Sequence, residues 1–436
     1  MKTLKIGLIV AAEGDLTSLP PLGPGFLAAS INRSLPGTEV VLAERPEQLL
    51  KEAPGLVGIS ANTDNYALAV KWAKSIKAEL GVPVILGGIH ISMAPGSLDK
   101  CFDLAVIGEG ELTLVEALRS YMRHSRFDHS DLAGVPGLAF YRDGRLHSTP
   151  EREPVADLAQ LPLPSGEMAP YYRGKRLRHI FSARGCPYRC DFCSSSRLFS
   201  RHRALPAGLV VEEIERLVLG EGAERIVFYD DLFIADKRRL SAIAAGLEER
   251  GLTGKCRFSG SVRADLIDEE TCRLLARIGM DQVAIGLESF SDKVLAFLNK
   301  TGLSGEINQR ALDLLAGRGI GVLALLMFGV PVETAEDINS TLEKICRNAE
   351  AGKIRDAYWA MLAPYPGTKT WDQAKERGLV GDSMDWSLFA GGGSPALYLG
   401  MNVSRDKLCG LIDEWRARLA LARPGPPSSS RTSLFH

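Results

Sequence analysis

The 436-residue chain has no surplus of charge of either sign: 52 Lys and Arg stand against 53 Asp and Glu, a formal net charge of −1. Without a basic excess there is nothing to neutralise a phosphate backbone, which excludes nucleic-acid binding by bulk charge. Long apolar runs are also missing. The longest, Ile320 to Val332, has 13 residues and two glycines, short of the ~18 that a membrane-spanning helix needs. Eight cysteines in the whole chain are too few for a disulfide scaffold. No fixed-period repeat is visible. The N-terminus imitates a signal peptide, with Lys2 and Lys5 before the apolar Ile6–Ala12. Glu13-Gly14-Asp15 then stands where a small-residue cleavage site belongs, so the stretch reads as the first strand of an α/β domain. What remains is ordinary globular composition, 45% hydrophobic and 24% charged, with length for two or three domains.

Residues 1–125 alternate short apolar runs (5–10, 39–42, 56–60, 82–86 and 104–107) with helical stretches such as 65–80, where Tyr66, Leu68, Ala69, Trp72 and Ala73 recur at helical spacing. Five such strands predict a doubly wound parallel sheet of flavodoxin-like order, with ligands beyond the carboxyl ends of the strands. Those ends fall at 13–22, 60–64, 87–92 and 108–111. Residues 126–175 change character. Gly137–His147 reads as a hairpin turning at Asp143-Gly144, and Pro154, Pro162, Pro164 and Pro170 mark a crossover linker. From 176 to 375 a second alternation begins, with strands expected at 178–183, 225–229, 256–262, 282–286, 321–328 and 357–362. Six parallel strands with crossover helices predict a partial barrel, whose chemistry sits on loops after the strands. Residues 376–436 form a short extension: a loop at Gly391–Gly393, a helix over 405–422, and a Pro/Ser-rich tail from Arg423 that reads as disordered.

Three cysteines crowd into one segment directly after the first strand of the second alternation: Cys186-Pro-Tyr-Arg-Cys190-Asp-Phe-Cys193. The other five are scattered. Clustered thiols without an export signal point to metal ligands in a reducing cytoplasm. Three thiolates on one tight loop suit an Fe–S cluster with one iron left open to a substrate. The alternatives are a structural zinc site completed by a distant Cys or His, although no second cysteine pair exists, and chance clustering.

The C-x3-C-x2-C loop, with aromatic Phe192 before its last cysteine, resembles the signature of radical S-adenosylmethionine (SAM) enzymes. The resemblance continues in order along the barrel. It takes in Phe228-Tyr-Asp-Asp-Leu-Phe233, Ser261-Val-Arg-Ala-Asp265, Gly286-Leu-Glu-Ser289, Gly329-Val-Pro-Val-Glu-Thr334 and Pro364-Tyr-Pro-Gly-Thr368. It implies that Cys186, Cys190 and Cys193 hold a [4Fe–4S] cluster and that the open iron binds SAM. It implies that Asp230 and Asp231 meet the SAM ammonium, and that Phe192, Ser261, Arg263, Glu288 and Ser289 complete the SAM site. Read from the residues alone, Asp230 or Asp231 is equally a helix N-cap, Arg263 a salt-bridge partner of Asp265 or Glu269, and Glu288 a surface carboxylate.

Residues 1–125 resemble the cobalamin-binding domain that precedes many such barrels, through Pro20-Pro-Leu-Gly23, Gly58–Thr63, Gly87-Gly-Ile-His90 and Gly108-Glu-Gly-Glu111. Leu22, Gly23, Ser60, Asn62, Thr63, Gly87, Gly88, His90, Gly108, Glu109 and Gly110 are the implied contacts. The D-x-H-x-x-G string that delivers histidine to cobalt in other cobalamin proteins is absent, so the expectation is cobalamin without a protein imidazole. A flavodoxin-like scaffold that binds no cobalamin is the alternative. The resemblance implies a cytoplasmic enzyme, most simply a C-methyltransferase acting on an unactivated carbon or phosphorus of a small molecule. Its electron donor would be of flavodoxin or ferredoxin type. A non-methylating cyclase, ring-contraction or oxidative enzyme is the runner-up, and an Fe–S scaffold or redox sensor the reading from another class. Tyr358, Trp359 and Tyr365, near the last strand end, are substrate-pocket candidates, with core packing as the alternative.

Overall fold

A computed structural model describes residues 3–12, 20–391 and 394–421. The tail from Arg423, Gly392 and Gly393 of the glycine loop, and most of the first strand-end loop lie outside the described residues.

The first sheet has seven strands: β1 (Leu4–Val10), β2 (Thr38–Ala43), β3 (Leu56–Ser60), β4 (Val84–Gly87), β5 (Leu104–Val106), β6 (Leu138–Arg142) and β7 (Arg145–Ser148). Their order is β2-β1-β3-β4-β5-β6-β7. The first five are parallel and flavodoxin-like, as the strand count predicts. Central strands such as β1 and β3 are runs of Ile, Leu and Val because helices cover both of their faces. The hairpin turns at Asp143 and Gly144, both at positive φ. It does not stand apart in the linker: β6 pairs antiparallel with β5 and extends the first sheet.

The second sheet has six strands, all parallel and hydrogen-bonded in sequence order. Its strands are β8 (Leu177–Ile180), β11 (Arg225–Phe228), β12 (Arg257–Val262), β13 (Met280–Glu288), β14 (Gly321–Phe328) and β15 (Ile354–Met361). A two-residue ladder, β9 (Ala183–Arg184) with β10 (Arg203–Ala204), leaves the end of β8. Local signals set the crossover helices. Glu269–Ile278 starts on Asp268, which accepts the Thr271 N–H, and stops at Gly279 with φ +94°. Such a cap contributes about 1 kcal/mol.

The two modules share a core. Ile9, Ile59 and Ile91 of the first pack in one cluster with Val294, Leu298 and Val330 of the second and with Trp371, Trp386 and Phe389 from the C-terminal segment. The C-terminal ends of both sets of strands consequently face one another. No described helix is long and apolar enough to cross a membrane.

Candidate functional site

The cysteine loop hangs from the β9–β10 ladder. Gly185 has φ +80°, and a Cβ there would lie 2.8 Å from both the Arg201 carbonyl oxygen and the Phe199 Cβ, so glycine is required. Asp231, just past β11, grips the loop on both sides of the cysteines, accepting from the Gly185 N–H at 2.9 Å and the Ser195 hydroxyl at 2.5 Å. Asp230 is buried and accepts from the Ser182 N–H (2.6 Å), the Ser182 hydroxyl (2.5 Å) and the Ala183 N–H (3.0 Å). Burial pushes its carboxyl up to about 6 against the pull of those bonds. The expected partner of both aspartates was the SAM ammonium; the structure gives them to the loop. A carboxylate beside a turn full of backbone donors is captured by those donors, because a buried N–H left without a partner is costly.

The three thiols are half-buried and unbridged. Each faces a donor: Tyr188 N–H for Cys186, Ser195 and Ser196 N–H for Cys193, and the Arg263 Nη1, 3.8 Å from the Cys190 Sγ. Burial pushes Cys186 up to about 11 and also raises Cys193, so metal binding here must displace protons. Among the described residues no three His, Cys, Asp or Glu side chains gather around a single ion. A cubane asks for a wider triangle, one thiolate per corner iron, and donors aimed at sulfur suit its anionic charge. The loop fits a three-cysteine [4Fe–4S] cluster.

Arg263 is buried beside that loop. Its guanidinium lies over the Tyr188 ring, donates to the Thr301 carbonyl at 2.5 Å, and stands 2.8 Å from Asp265, at an angle that makes the contact an ion pair and not a hydrogen bond. The salt-bridge alternative is therefore realised, with Asp265, and the guanidinium also reaches Cys190 of the loop. Glu288 ends β13 at a bulge with φ +56°, a strained value for a residue with a side chain. It pairs with buried Lys300 at 2.8 Å, and Lys300 reaches over Phe192 of the cysteine loop and bonds the Gly286 carbonyl. Gly286 makes room for the pair: a Cβ would fall 2.6 Å from the Glu288 carboxylate. Lys300 was invisible to sequence reasoning, since nothing marks it as Glu288's partner. Ser261 is half-buried in β12. Ser289 is turned away from this group: it is fully buried, and its hydroxyl meets Thr341 and the Ser291 N–H. Glu288 and Ser289, consecutive at this strand end, therefore bond different partners, Lys300 and Thr341.

At the β1/β3 switch point of the first sheet lies an open cleft, about 1190 Å³ when the solvent-filled mouth is included, where this strand order is expected to bind. Its walls include Leu22, Gly23, Ser60, Gly87, Gly88, Gly108, Glu109 and Gly110, eight of the expected contacts. A Cβ on Gly23, Gly87 or Gly108 would meet nothing within 4 Å; the missing side chains are the space. Gly88 differs: its φ is +98° and a Cβ would sit 2.4 Å from the Ala61 carbonyl oxygen, so it serves the backbone turn. The opposite wall, which sequence reasoning missed, comes from the barrel: Phe181, Arg184, Leu198, Phe199 and Tyr229. A large, mostly apolar cradle with glycine floors fits a corrin.

Three expected contacts are elsewhere. His90 is fully buried, with Nδ1 at 3.2 Å from the Thr63 hydroxyl and Nε2 at 2.9 Å from the Ser97 hydroxyl, stacked on Tyr66 and edge-on to Trp386. Burial drops its imidazole to about 3. Thr63 is its partner, and Asn62 is exposed and caps the local turn through the Asn65 N–H. Position at a strand end located these residues but not the direction of their side chains. Tyr365 likewise bonds Asp64 and stacks on Phe389, and Trp359 lies under Arg416 of the last helix, so both belong to packing.

Glu109 and Glu111 carry a second surprise. Glu111 takes the Arg184 guanidinium at 2.6 Å, with Glu109 3.5 Å from the same group, and Glu109 also pairs with Arg203. All four side chains are at most 9% exposed. Burial opposes the Arg184 charge, but Glu111 and Glu109 outweigh it and raise its pKa.

Residues 180–345 match the radical SAM superfamily model and residues 35–118 the B12 binding domain. The chain is 29% identical to an uncharacterized methyltransferase of Pyrococcus horikoshii, over 88% of this chain and 86% of that one. It is 30% identical to the anaerobic magnesium-protoporphyrin IX monomethyl ester cyclase of Rubrivivax gelatinosus over 73% of its own length, and spans only 58% of that enzyme. The fold is similar to that of the radical SAM methyltransferase TsrM from Kitasatospora setae, solved with cobalamin and a [4Fe–4S] cluster: TM-score 0.74 at 20% identity, covering 99% of this chain and 92% of that one.

Proposed function

The chain belongs to the radical SAM superfamily and carries a B12-binding domain ahead of its barrel, and on that premise we propose that it is a cobalamin-dependent methyltransferase acting on an unactivated carbon or phosphorus of a small molecule. The observation that supports this most is the shared wall: the cleft at the first sheet is closed by Arg184, Leu198 and Phe199, which flank the three cysteines. In this reading residues 1–125 with the hairpin hold cobalamin, and residues 176–375 hold the cluster and SAM. When bound, the cluster supplies the electron that cleaves SAM to methionine and a 5′-deoxyadenosyl radical, and cobalamin carries the methyl group.

The chain's own residues supply placement and dryness. Cys186, Cys190 and Cys193 anchor the cluster. Arg263, itself held by Asp265, would keep a fixed guanidinium beside Cys190 and the anionic cluster. Glu288, held ready by Lys300 and a strained bulge, takes the SAM ribose, with Phe192 and Ser261 beside it. The apolar faces of Phe181, Phe199 and Tyr229 keep water and stray hydrogen donors from the reacting atoms. We further propose a cytoplasmic setting and a flavodoxin- or ferredoxin-type electron donor.

The test is anaerobic reconstitution with iron, sulfide and cobalamin, followed by incubation of candidate small molecules with methyl-labelled SAM. Label in the product is the expected result. An unlabelled, rearranged or oxidised product would instead assign cyclase-type chemistry. Absence of 5′-deoxyadenosine under reducing conditions would leave a non-catalytic Fe–S protein.

A further inference from the structure

We propose that Glu109 and Glu111 are positioning residues that tie occupancy of the cobalamin cleft to the placement of the cluster loop, through Arg184 and Arg203; the inference rests on the cobalamin reading above. Both arginines sit on the β9–β10 ladder, directly opposite one another. That ladder is two residues long on each strand, too short to be stable by itself. Its support comes from across the domain boundary: Glu111 and Glu109 on Arg184, Glu109 on Arg203, and the Val155 carbonyl on Arg203 at 2.6 Å. Gly185 and Cys186 follow Arg184 directly, so the root of the cluster loop is fastened to the other module by buried charge.

The same residues are cleft wall. Glu109, Glu111 and Arg184 all line it, and the Arg184 guanidinium rests on the Phe26 ring of the facing helix, 4.8 Å from its centroid. A corrin seated between Gly87, Gly108 and Phe26 would press on the surface that holds Arg184. Four buried charges in fixed geometry are stiff, because any shift leaves one of them unpaired. Filling the cleft is thereby transmitted to the cysteines and to SAM. Coupling of this kind is reciprocal: cobalamin must change SAM affinity by the same factor as SAM changes cobalamin affinity.

The experiment uses the full chain with its cluster reconstituted, titrated with SAM with and without hydroxocobalamin. Wild type is expected to bind SAM about 5- to 150-fold more tightly when loaded with cobalamin. Glu111→Gln should bring that ratio below about twofold, read on protein that has retained its iron and cobalamin. Arg184→Lys keeps the charge but offers one nitrogen for two carboxylates; an intermediate ratio is expected, and it serves as the test if Glu111→Gln does not fold. A merely structural role would weaken SAM binding equally with and without cobalamin, so an unchanged ratio in both variants overturns the proposal, as does a wild-type ratio of one. Protein that keeps its cluster but retains no cobalamin, seen before any SAM is added, overturns the functional reading as well.

Discussion

The cysteine loop keeps its shape with groups that are present: Asp231 on two of its donors, Asp230 on the turn before it, Arg263 at a thiol, Arg184 and Arg203 at its root. The cleft facing it keeps its shape with groups that are missing, since Gly23, Gly87 and Gly108 leave open space where side chains would stand. The difference teaches where each region is vulnerable. A polar loop fails when one member of a buried pair is removed. A glycine cradle fails when something is added, and its failure need not touch stability.

The comparison is broken most completely at the thiols. Replacing Cys186, Cys190 or Cys193 with Ala should abolish iron content and SAM cleavage together, whereas Ala at Cys256, Cys272 or Cys409 should leave both in place; iron analysis and the visible spectrum check this. Loss of the cluster on changing Cys256 would overturn the three-ligand assignment.

The two neighbouring glycines sharpen it next. Gly88→Ala should destabilise the protein by about 3 kcal/mol or more, from positive φ and the contact with Ala61. Gly87→Leu should leave the melting temperature near wild type while lowering cobalamin affinity by about 10- to 150-fold, the overpacking cost expressed on the ligand. Equal effects of the two variants would remove the cradle interpretation.

On the loop side, Glu288→Gln should weaken SAM binding about 10- to 150-fold with the cluster spectrum unchanged. It should also destabilise the chain, because Lys300 is left buried and unpaired. Adding Lys300→Met should recover stability but not SAM affinity; recovery of both would make the pair purely structural.

The smallest effect concerns His90. Its folded-state pKa of about 3 lies below the ordinary histidine value, so the unfolded chain binds the extra proton between those limits. The stability it supports is complete above about pH 6.5 and is lost as pH falls toward 3, about 2 kcal/mol of it by pH 5. Denaturant unfolding of His90→Gln at pH 7 and pH 5 should show that much less acid sensitivity. Because His90 stands outside the cleft, the electron paramagnetic resonance spectrum of bound Co(II) should be the same in this variant. A nitrogen splitting that disappears would show a ligand where the structure shows a core residue.

The five parallel strands of the first sheet and their order, the six strands of the second and the cysteine loop were legible in the sequence, because each is a local pattern; the hairpin's joining of the first sheet was not, because pairing with β5 is a long-range contact. The misplacements share a cause. Asp230, Asp231, Ser289 and His90 were located at strand ends correctly, yet the sequence does not say to which side a strand-end side chain turns or which donor lies nearest. The Gly108-Glu-Gly-Glu111 string announced a cleft through its glycines, but the partners of its carboxylates lie at Arg184 and Arg203, far along the chain and in the other module. Phe181 and Tyr229 escaped notice for the same reason: half of the cleft wall is built by the barrel.

The aromatic seam has a consequence for how the protein is made. Tyr66 and His90 meet Trp386, which stacks on Trp371 and Phe389. The first sheet can close as soon as its own strands have left the ribosome, since domains fold as units during synthesis. The junction with the barrel must wait for residues 371–389, most of the way through translation. Until Trp386 arrives, the barrel wall of the cleft, Phe181 to Tyr229, is already made but not yet locked against the first sheet, and a bulky cofactor has its widest route of entry in that interval.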